Sequence, residues 1–360
     1  MTIDVPTTGR SLPQLQPISF IGADGRLTDT PTEGLRIPSD ATLTGLYRQM
    51  VLVRRFEAQV THLTRQGRLA TYPSAAGQEA AEVGATTALA PNDWLFPTYR
   101  DSAALLTRGV PVAEILAAFR GDWHCAFDPH EYHTSPAATP LATQTLHATG
   151  FAMAAKLKGE DAATLTFLGD GASSEGDTHE AFNFASVWQT PTVFVLQNNQ
   201  YAISTPLREQ TNATMLADRA AGYGMPGLRV DGNDVAAVFA AVAAVFVYVS
   251  VLYGSTLTLD EAGLRRSFFG LRLHTVPWSA VAEVGVVGLK VFNNNDPKRT
   301  GTLYLYFSPR ALDKDSRFKL ALEWPPRDML YLCYTKDRAA AVRALWSGPI
   351  ETFNAGDLFF

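Results

Sequence analysis

Apolar residues recur every three or four positions through Leu43, Tyr47, Met50, Val51, Phe56, Val60 and Leu63, and Ser39 or Asp40 stands where an N-cap belongs. The spacing predicts a helix from about residue 40 until Gly67 stops it. Gly77-Gln78-Glu79 opens a second, alanine-rich helix, closed by the turn residues Pro91-Asn92-Asp93. A third helix, 102–108, follows the Tyr99-Arg100-Asp101 loop. Residues 121–140 lack periodicity and read as loop, whereas 143–158 reads as a helix with small residues along one side. Then strand and helix alternate: an apolar run at 163–168, a helix at 173–188 with Glu175 and Asp177 in its first turn, and a second apolar run at 191–196. Strand, crossover helix, strand implies two parallel neighbours in an α/β sheet.

The pattern changes in the last third. Residues 235–253 carry no charge and approach the length of a membrane span, although alanine is abundant and flanking anchors are poor. A buried helix or strand, or a junction between two unrelated pieces, is the other reading of that stretch. Beyond 254, short strand-like runs (255–259, 264–273, 282–291, 302–307 and 329–334) alternate with turns, and a single helix at 337–346 closes the series. That is an antiparallel β pattern, so a boundary is expected near 240–254. The expected organisation is a weakly ordered arm over 1–39, rich in Thr, Pro and Gly, an α/β domain over 40–242, an apolar junction over 243–254, and a β-rich domain over 255–360.

Composition narrows the function. A hydrophobic share of 46% is ordinary for a globular chain, and a net charge of -5 without a basic block argues against a general nucleic-acid binder. The two cysteines, Cys125 and Cys333, have no metal or redox spacing and read as free thiols in a reducing cytoplasm. No charged-then-apolar signal pattern opens the chain.

The strongest chemical signal is Gly169-Asp170-Gly171 at the end of one strand run and Asn198-Asn199 at the end of the next. Parallel neighbours put their carboxyl ends on one edge of a sheet, where open α/β folds bind ligands. Asp170 and Asn199 are placed to reach one divalent ion. A carboxylate, an amide oxygen and a backbone carbonyl suit Mg²⁺ or Ca²⁺, with diphosphate oxygens completing the shell. Gly171 lets the backbone approach the diphosphate, and a helix starting at Ser173 aims free N–H groups at its charge.

Five segments carry a resemblance: GDGASSEGDTHEAFNFASVWQTPTVFVLQNNQYAIST, FPTYRD, GRLATYPSAAGQEAAEVG, TPLATQTLHATG and YGMPGLRVDGNDVAAV. Taken in chain order they resemble the alpha subunit of the decarboxylating component of pyruvate and branched-chain 2-oxo acid dehydrogenases. The resemblance covers nearly all of 40–238. It implies a thiamine-diphosphate-binding fold with a mostly parallel sheet. Asp170, Asn199 and the backbone carbonyl of Tyr201 would ligate Mg²⁺, and Tyr99 and Arg100 would contact the diphosphate. Leu141, Gly171, Ala172 and Ile203 would line the cofactor site, and Pro140, Thr143 and Gln144 match a segment that holds a monovalent cation such as K⁺. His147, mid-helix, reads as structural.

The implied activity is oxidative decarboxylation of a 2-oxo acid, with the acyl group passed to a lipoyl group on an acyltransferase component. A beta subunit would complete a site between subunits in a heterotetramer. A family member is expected to continue past VDGNDVAAVFAAV into a loop that brings a histidine to the cofactor; no such segment follows, so no catalytic residue is assigned and activity is expected to be impaired. His274 reads as an ordinary strand histidine. Residues from about 254 resemble instead a bacterial PH-like domain, through LTLDEAGLRRSFFGLRLHTVPWSAVAEV, LYLYFSP and the terminal helix with Trp346. This suggests a fusion, with an inactive scaffold or a membrane-associated binding module as the alternatives to an enzyme subunit.

Overall fold

The computed structural model of the chain describes residues 16–28, 34–122, 124–158, 160–253, 256–268, 271–288, 303–322 and 329–354. Two compact units separate, one of residues 1–156 with 162–253 and the other of 157–161 with 254–360.

The first unit is built on three short parallel strands in the order β1 (Trp94–Phe96), β2 (Thr164–Gly169) and β3 (Thr192–Gln197). β1 was not anticipated, because three residues are too few to show a period. The chain passes through α1 (Asp40–Arg65), α2 (Glu79–Thr87), α3 (Ser102–Thr107), α4 (Val112–Arg120) and α5 (Pro129–Tyr132) before it reaches α6 (Thr143–Lys158). α5 replaces part of what the sequence reads as loop, and α4 lies just before that stretch, where the sequence reading placed no element. α6 leads into β2, and α7 (Gly176–Trp188) crosses over to β3. A two-stranded hairpin, β4 (Tyr201–Ala202) and β5 (Thr205–Pro206), runs into the short helices α8 (Leu207–Gln210) and α9 (Asp218–Gly222).

The uncharged stretch becomes α10 (Val235–Tyr253), and its apolar character is explained by burial. Val238, Val242, Phe246 and Val249 pack into the cluster that holds Leu95, Leu165, Phe167 and Val193 of the sheet. A Cβ added at Gly84 of α2 would lie 2.9 Å from Val238 Cγ1 and 3.0 Å from Val235 O, so only glycine lets these helices approach so closely. Among the described residues no helix is long and apolar enough to cross a membrane.

Asp234 caps α10, its Oδ1 accepting the amides of Ala236 and Ala237 at 3.0 Å each. Its Oδ2 accepts the amides of Phe20 and Ile21 at 2.6 and 2.7 Å. Within the segment read as a weakly ordered arm, Ile18 and Phe20 are therefore held and buried beside Ala236 and Ala237.

The second unit holds an antiparallel sheet of β6 (Thr256–Asp260), β7 (Gly263–Phe268) and β8 (Leu271–Pro277). His274 falls in β8, and its side chain, like that of Cys333, lies outside the described residues. A second sheet has the order β11-β10-β9-β12, from β9 (Glu283–Gly288), β10 (Leu303–Ser308), β11 (Leu330–Cys333) and β12 (Ile350–Asn354). α11 (Lys314–Leu322), not distinguished from loop in the sequence, precedes α12 (Lys336–Leu345), the expected terminal helix. Ala339 and Val342 of α12 pack on Leu264, Val284, Leu305 and Phe307.

Candidate functional site

The three parallel strands end on one edge. Phe96 pairs with Thr166 and Gly169 with Gln197, so the loops that start at Pro97, Asp170 and Asn198 all leave the sheet on the same side. Tyr99-Arg100, Asp170-Gly171 and Asn199 are thereby brought to the carboxyl edge that ligands of such sheets use.

Asp170 is 1% exposed, and its Oδ2 accepts Gln210 Nε2 at 2.9 Å. Its backbone carbonyl accepts Ser173 N at 3.1 Å and Ser173 Oγ at 2.5 Å. The amides of Ser173, Ser174 and Glu175 are spent on a tight 3-10 turn, and α7 begins only at Gly176. This corrects the expectation of free N–H groups at Ser173: the 3-10 turn over Ala172–Ser174 uses them, and extended Glu175 separates that turn from α7.

Gly171 has φ -60° and ψ -45°, a conformation open to any residue. Its requirement is space. A Cβ here would meet Ala202 Cβ at 2.8 Å, so the β4–β5 hairpin lies directly on the glycine. Asn199 Oδ1 accepts Tyr201 N at 2.9 Å, and Gln200, between them, takes a left-handed φ of 71°. Ile203 at the hairpin tip has φ 56° and is fully exposed; Tyr201 and Leu141 are exposed too. Ala142, next to Leu141, has φ 67°. Left-handed, non-glycine backbone thus recurs in the loops that carry the candidate residues, a costly arrangement that proteins keep at functional sites.

Arg100 donates from Nη1 to Ser74 O at 2.8 Å and lies over the Tyr99 ring at 5.5 Å. The loop that it holds is fixed by carboxylates that sequence reasoning missed. Buried Glu57 accepts Tyr72 OH at 2.6 Å, Ser74 Oγ at 2.7 Å and Ala75 N at 3.1 Å. Burial pushes the Glu79 carboxyl up, but the Arg54 guanidinium at 2.6 Å and the Gly77 amide outweigh it and hold it below its usual range. Asp101 and Glu82 are both fully buried. Their only sequence signals are an acid directly after Tyr99-Arg100 and one in the apolar face of α2.

Gln144, 1% exposed, donates Nε2 to Phe167 O at 2.7 Å, while its Oε1 is buried with no hydrogen-bond partner. Such an orphaned oxygen is costly, and a cation or a water would satisfy it. Thr143 is its neighbour at the start of α6, and Pro140 lies exposed before it. His147 is exposed on α6. Ala172 is buried beneath the turn, its carbonyl accepting Thr178 Oγ1 at 2.7 Å.

The donor set fits a hard divalent cation: a carboxylate, an amide oxygen and a backbone carbonyl, all oxygen, at the sheet edge. Clusters of three or more His, Cys, Asp or Glu suited to a metal do not occur among the described residues, so such an ion would rest on Asp170 with neutral oxygens.

The profile of a family described as "Dehydrogenase E1 component" matches residues 47–258. The chain is similar to the 3-methyl-2-oxobutanoate dehydrogenase subunit alpha of Mycobacterium tuberculosis, 50% identical over 232 residues, covering 64% of this chain and 62% of that protein. It is also similar to the pyruvate dehydrogenase E1 component subunit alpha of Staphylococcus aureus, 39% identical over 203 residues, 56% of this chain and 55% of that one. The chain thus spans less than two thirds of the length of these relatives. With its motifs gathered at one sheet edge and the profile spanning more than half its length, the chain belongs to the dehydrogenase E1 component family.

Proposed function

We propose that this chain is an alpha subunit for thiamine-diphosphate-dependent oxidative decarboxylation of a 2-oxo acid, pyruvate or a branched-chain acid, with acyl transfer to a lipoyl group. The observation that carries the reading is the parallel register of β2 and β3, which sets Asp170 and Asn199 on one edge with Gly171 against Ala202. When bound, the cofactor supplies the carbon-acid chemistry of decarboxylation. Asp170, Asn199 and the Tyr201 carbonyl would hold its Mg²⁺, Tyr99 and Arg100 its diphosphate, and Leu141, Gly171, Ala172 and Ile203 its remaining surface. The Arg100 fork, already fixed on Ser74 O, keeps further N–H groups for phosphate oxygens. The orphaned Gln144 oxygen supports a K⁺ site with Thr143 and Pro140.

Exposed Ile203, Tyr201 and Leu141 leave one side of the site bare, which favours completion by a beta subunit in a cytoplasmic heterotetramer that serves a lipoyl-bearing acyltransferase. Residues 255–360 are read as a PH-like domain, supported by two small sheets with α12 on their core, and the join as a fusion. Because the family's histidine loop does not follow residue 238, we infer little or no turnover, which makes an inactive scaffold the second reading. α10, buried on the sheet, gives a membrane-associated module no support.

Calorimetric titration with thiamine diphosphate and Mg²⁺ tests the site. The parent should bind saturably and Asp170→Ala at least tenfold more weakly; equal binding by the two refutes the assignment. Assay of the chain with a cognate beta subunit for 2-oxo acid decarboxylation tests turnover, and near-normal activity refutes the inferred impairment.

A further inference from the structure

Gln210 ends α8, eleven positions after Asn199 in the chain, yet it returns to the first metal-loop residue. Its Nε2 donates to Asp170 Oδ2 and to Thr205 O, both at 2.9 Å. Its Oε1 is buried and finds no donor among the described residues. Burying an amide oxygen without a partner is unfavourable, so the Nε2 bonds must hold the side chain in place.

Two contacts thus dock the hairpin on the Asp170–Gly171 turn: the Ala202 methyl on Gly171, and the Gln210 amide between Asp170 and Thr205. β4 and β5 pair over only two positions, and α8 is a single turn whose carbonyls reach Thr211 N through Leu207 O. Such a short element does not define its own position.

We propose that Gln210 is a positioning residue, which fixes the Asp170 carboxylate in one rotamer and locks the hairpin, with the Tyr201 carbonyl, into register with it. The proposal deepens the cofactor reading and rests on it for the role of the metal. A carboxylate oxygen has two lone pairs, so Asp170 Oδ2 accepts the Gln210 amide and retains capacity toward a cation. The amide orients the ligand without competing for its charge.

The test has two arms on the full chain. Gln210→Leu keeps the side chain's bulk and removes both hydrogen bonds; Gln210→Asn keeps the amide one methylene short, and serves if the leucine variant fails to fold. In the free chain, hydrogen exchange over residues 200–207 should accelerate at least fivefold in either variant, with β2 and β3 amides unchanged. With thiamine diphosphate and a beta subunit present, Mn²⁺ counted by electron paramagnetic resonance should bind about tenfold more weakly than to the parent. Faster exchange with unchanged Mn²⁺ affinity makes Gln210 a packing residue and overturns the proposal. Unchanged exchange overturns it as well, while Mn²⁺ uptake by the parent and loss in Asp170→Ala keeps the cofactor reading standing. A parent that takes up no more Mn²⁺ than Asp170→Ala sinks both.

Discussion

Gln197, the last residue of β3, donates its side-chain amide to Asp101 Oδ1 at 3.2 Å and so ties the loop after β1 to the carboxyl end of β3. The other Asp101 oxygen accepts Thr98 N at 2.6 Å, closing the turn that presents Tyr99 and Arg100. Glu82 of α2 lies behind this bridge and accepts Ala104 N at 3.2 Å through Oε2, while its Oε1 has no hydrogen-bond partner. Two acids are thus buried against the back of the candidate site.

Burial pushes the Asp101 carboxyl up to about 6, and burial with the nearby Asp101 charge pushes Glu82 well above the carboxylate range. A raised carboxyl favours the fold while protonated, so this contribution is complete below about pH 4 and declines as pH rises through the folded values, by at most about 1.4 kcal/mol per pH unit for each proton. Glu82→Gln should therefore match the parent in stability near pH 4 and exceed it near pH 8, as read by urea denaturation at both. A difference that does not vary with pH contradicts this.

Gly171→Ala places a methyl 2.8 Å from Ala202 Cβ, and relieving the overlap should cost about 1–3 kcal/mol. Pairing it with Ala202→Gly should recover most of that loss, since contacting residues couple. A thermal-denaturation cycle of the two singles and the double measures it; strict additivity would mean that the hairpin does not rest on the glycine.

In the second unit, Arg317 of α11 donates to both oxygens of Glu283, at 3.0 and 2.9 Å, beside Tyr306 OH at 2.7 Å and Leu312 N at 2.8 Å. Arg317→Met leaves a buried carboxylate with its charge uncompensated and should cost about 3 kcal/mol, the lower end for such pairs because Arg317 is partly exposed. Adding Glu283→Gln should restore part of it. Hydrogen exchange of β9 and β10 in the full chain reports the loss, and unchanged protection in the single variant rules the pair out as a support.

The motifs at 169–171 and 198–199 were legible because their chemistry is local: each terminates an apolar run with residues that suit a turn and a hard ligand. α1, with its Ser39 cap, was legible for the same kind of reason, a long period with a clear start. The turn at 172–174 was not, since a 3-10 turn and the first turn of an α-helix use the same residue types. Nor was the role of Glu57, whose three donors come from the loop at 72–75 and meet it only after α1 packs.

By itself the sequence determined the longer elements, such as α1, α6, β2 and β3, and which short segments carry ligand chemistry, because periodicity, caps and turn residues act within a few positions of themselves. Tertiary structure alone decided that α10 is a core helix rather than a span, that Gly171 serves to admit Ala202, and that Glu82, Asp101, Gln197 and Gln210 stand behind the site. Those facts depend on what lies opposite each side chain, and hydrophobic pattern records only whether a residue is buried, not its neighbour.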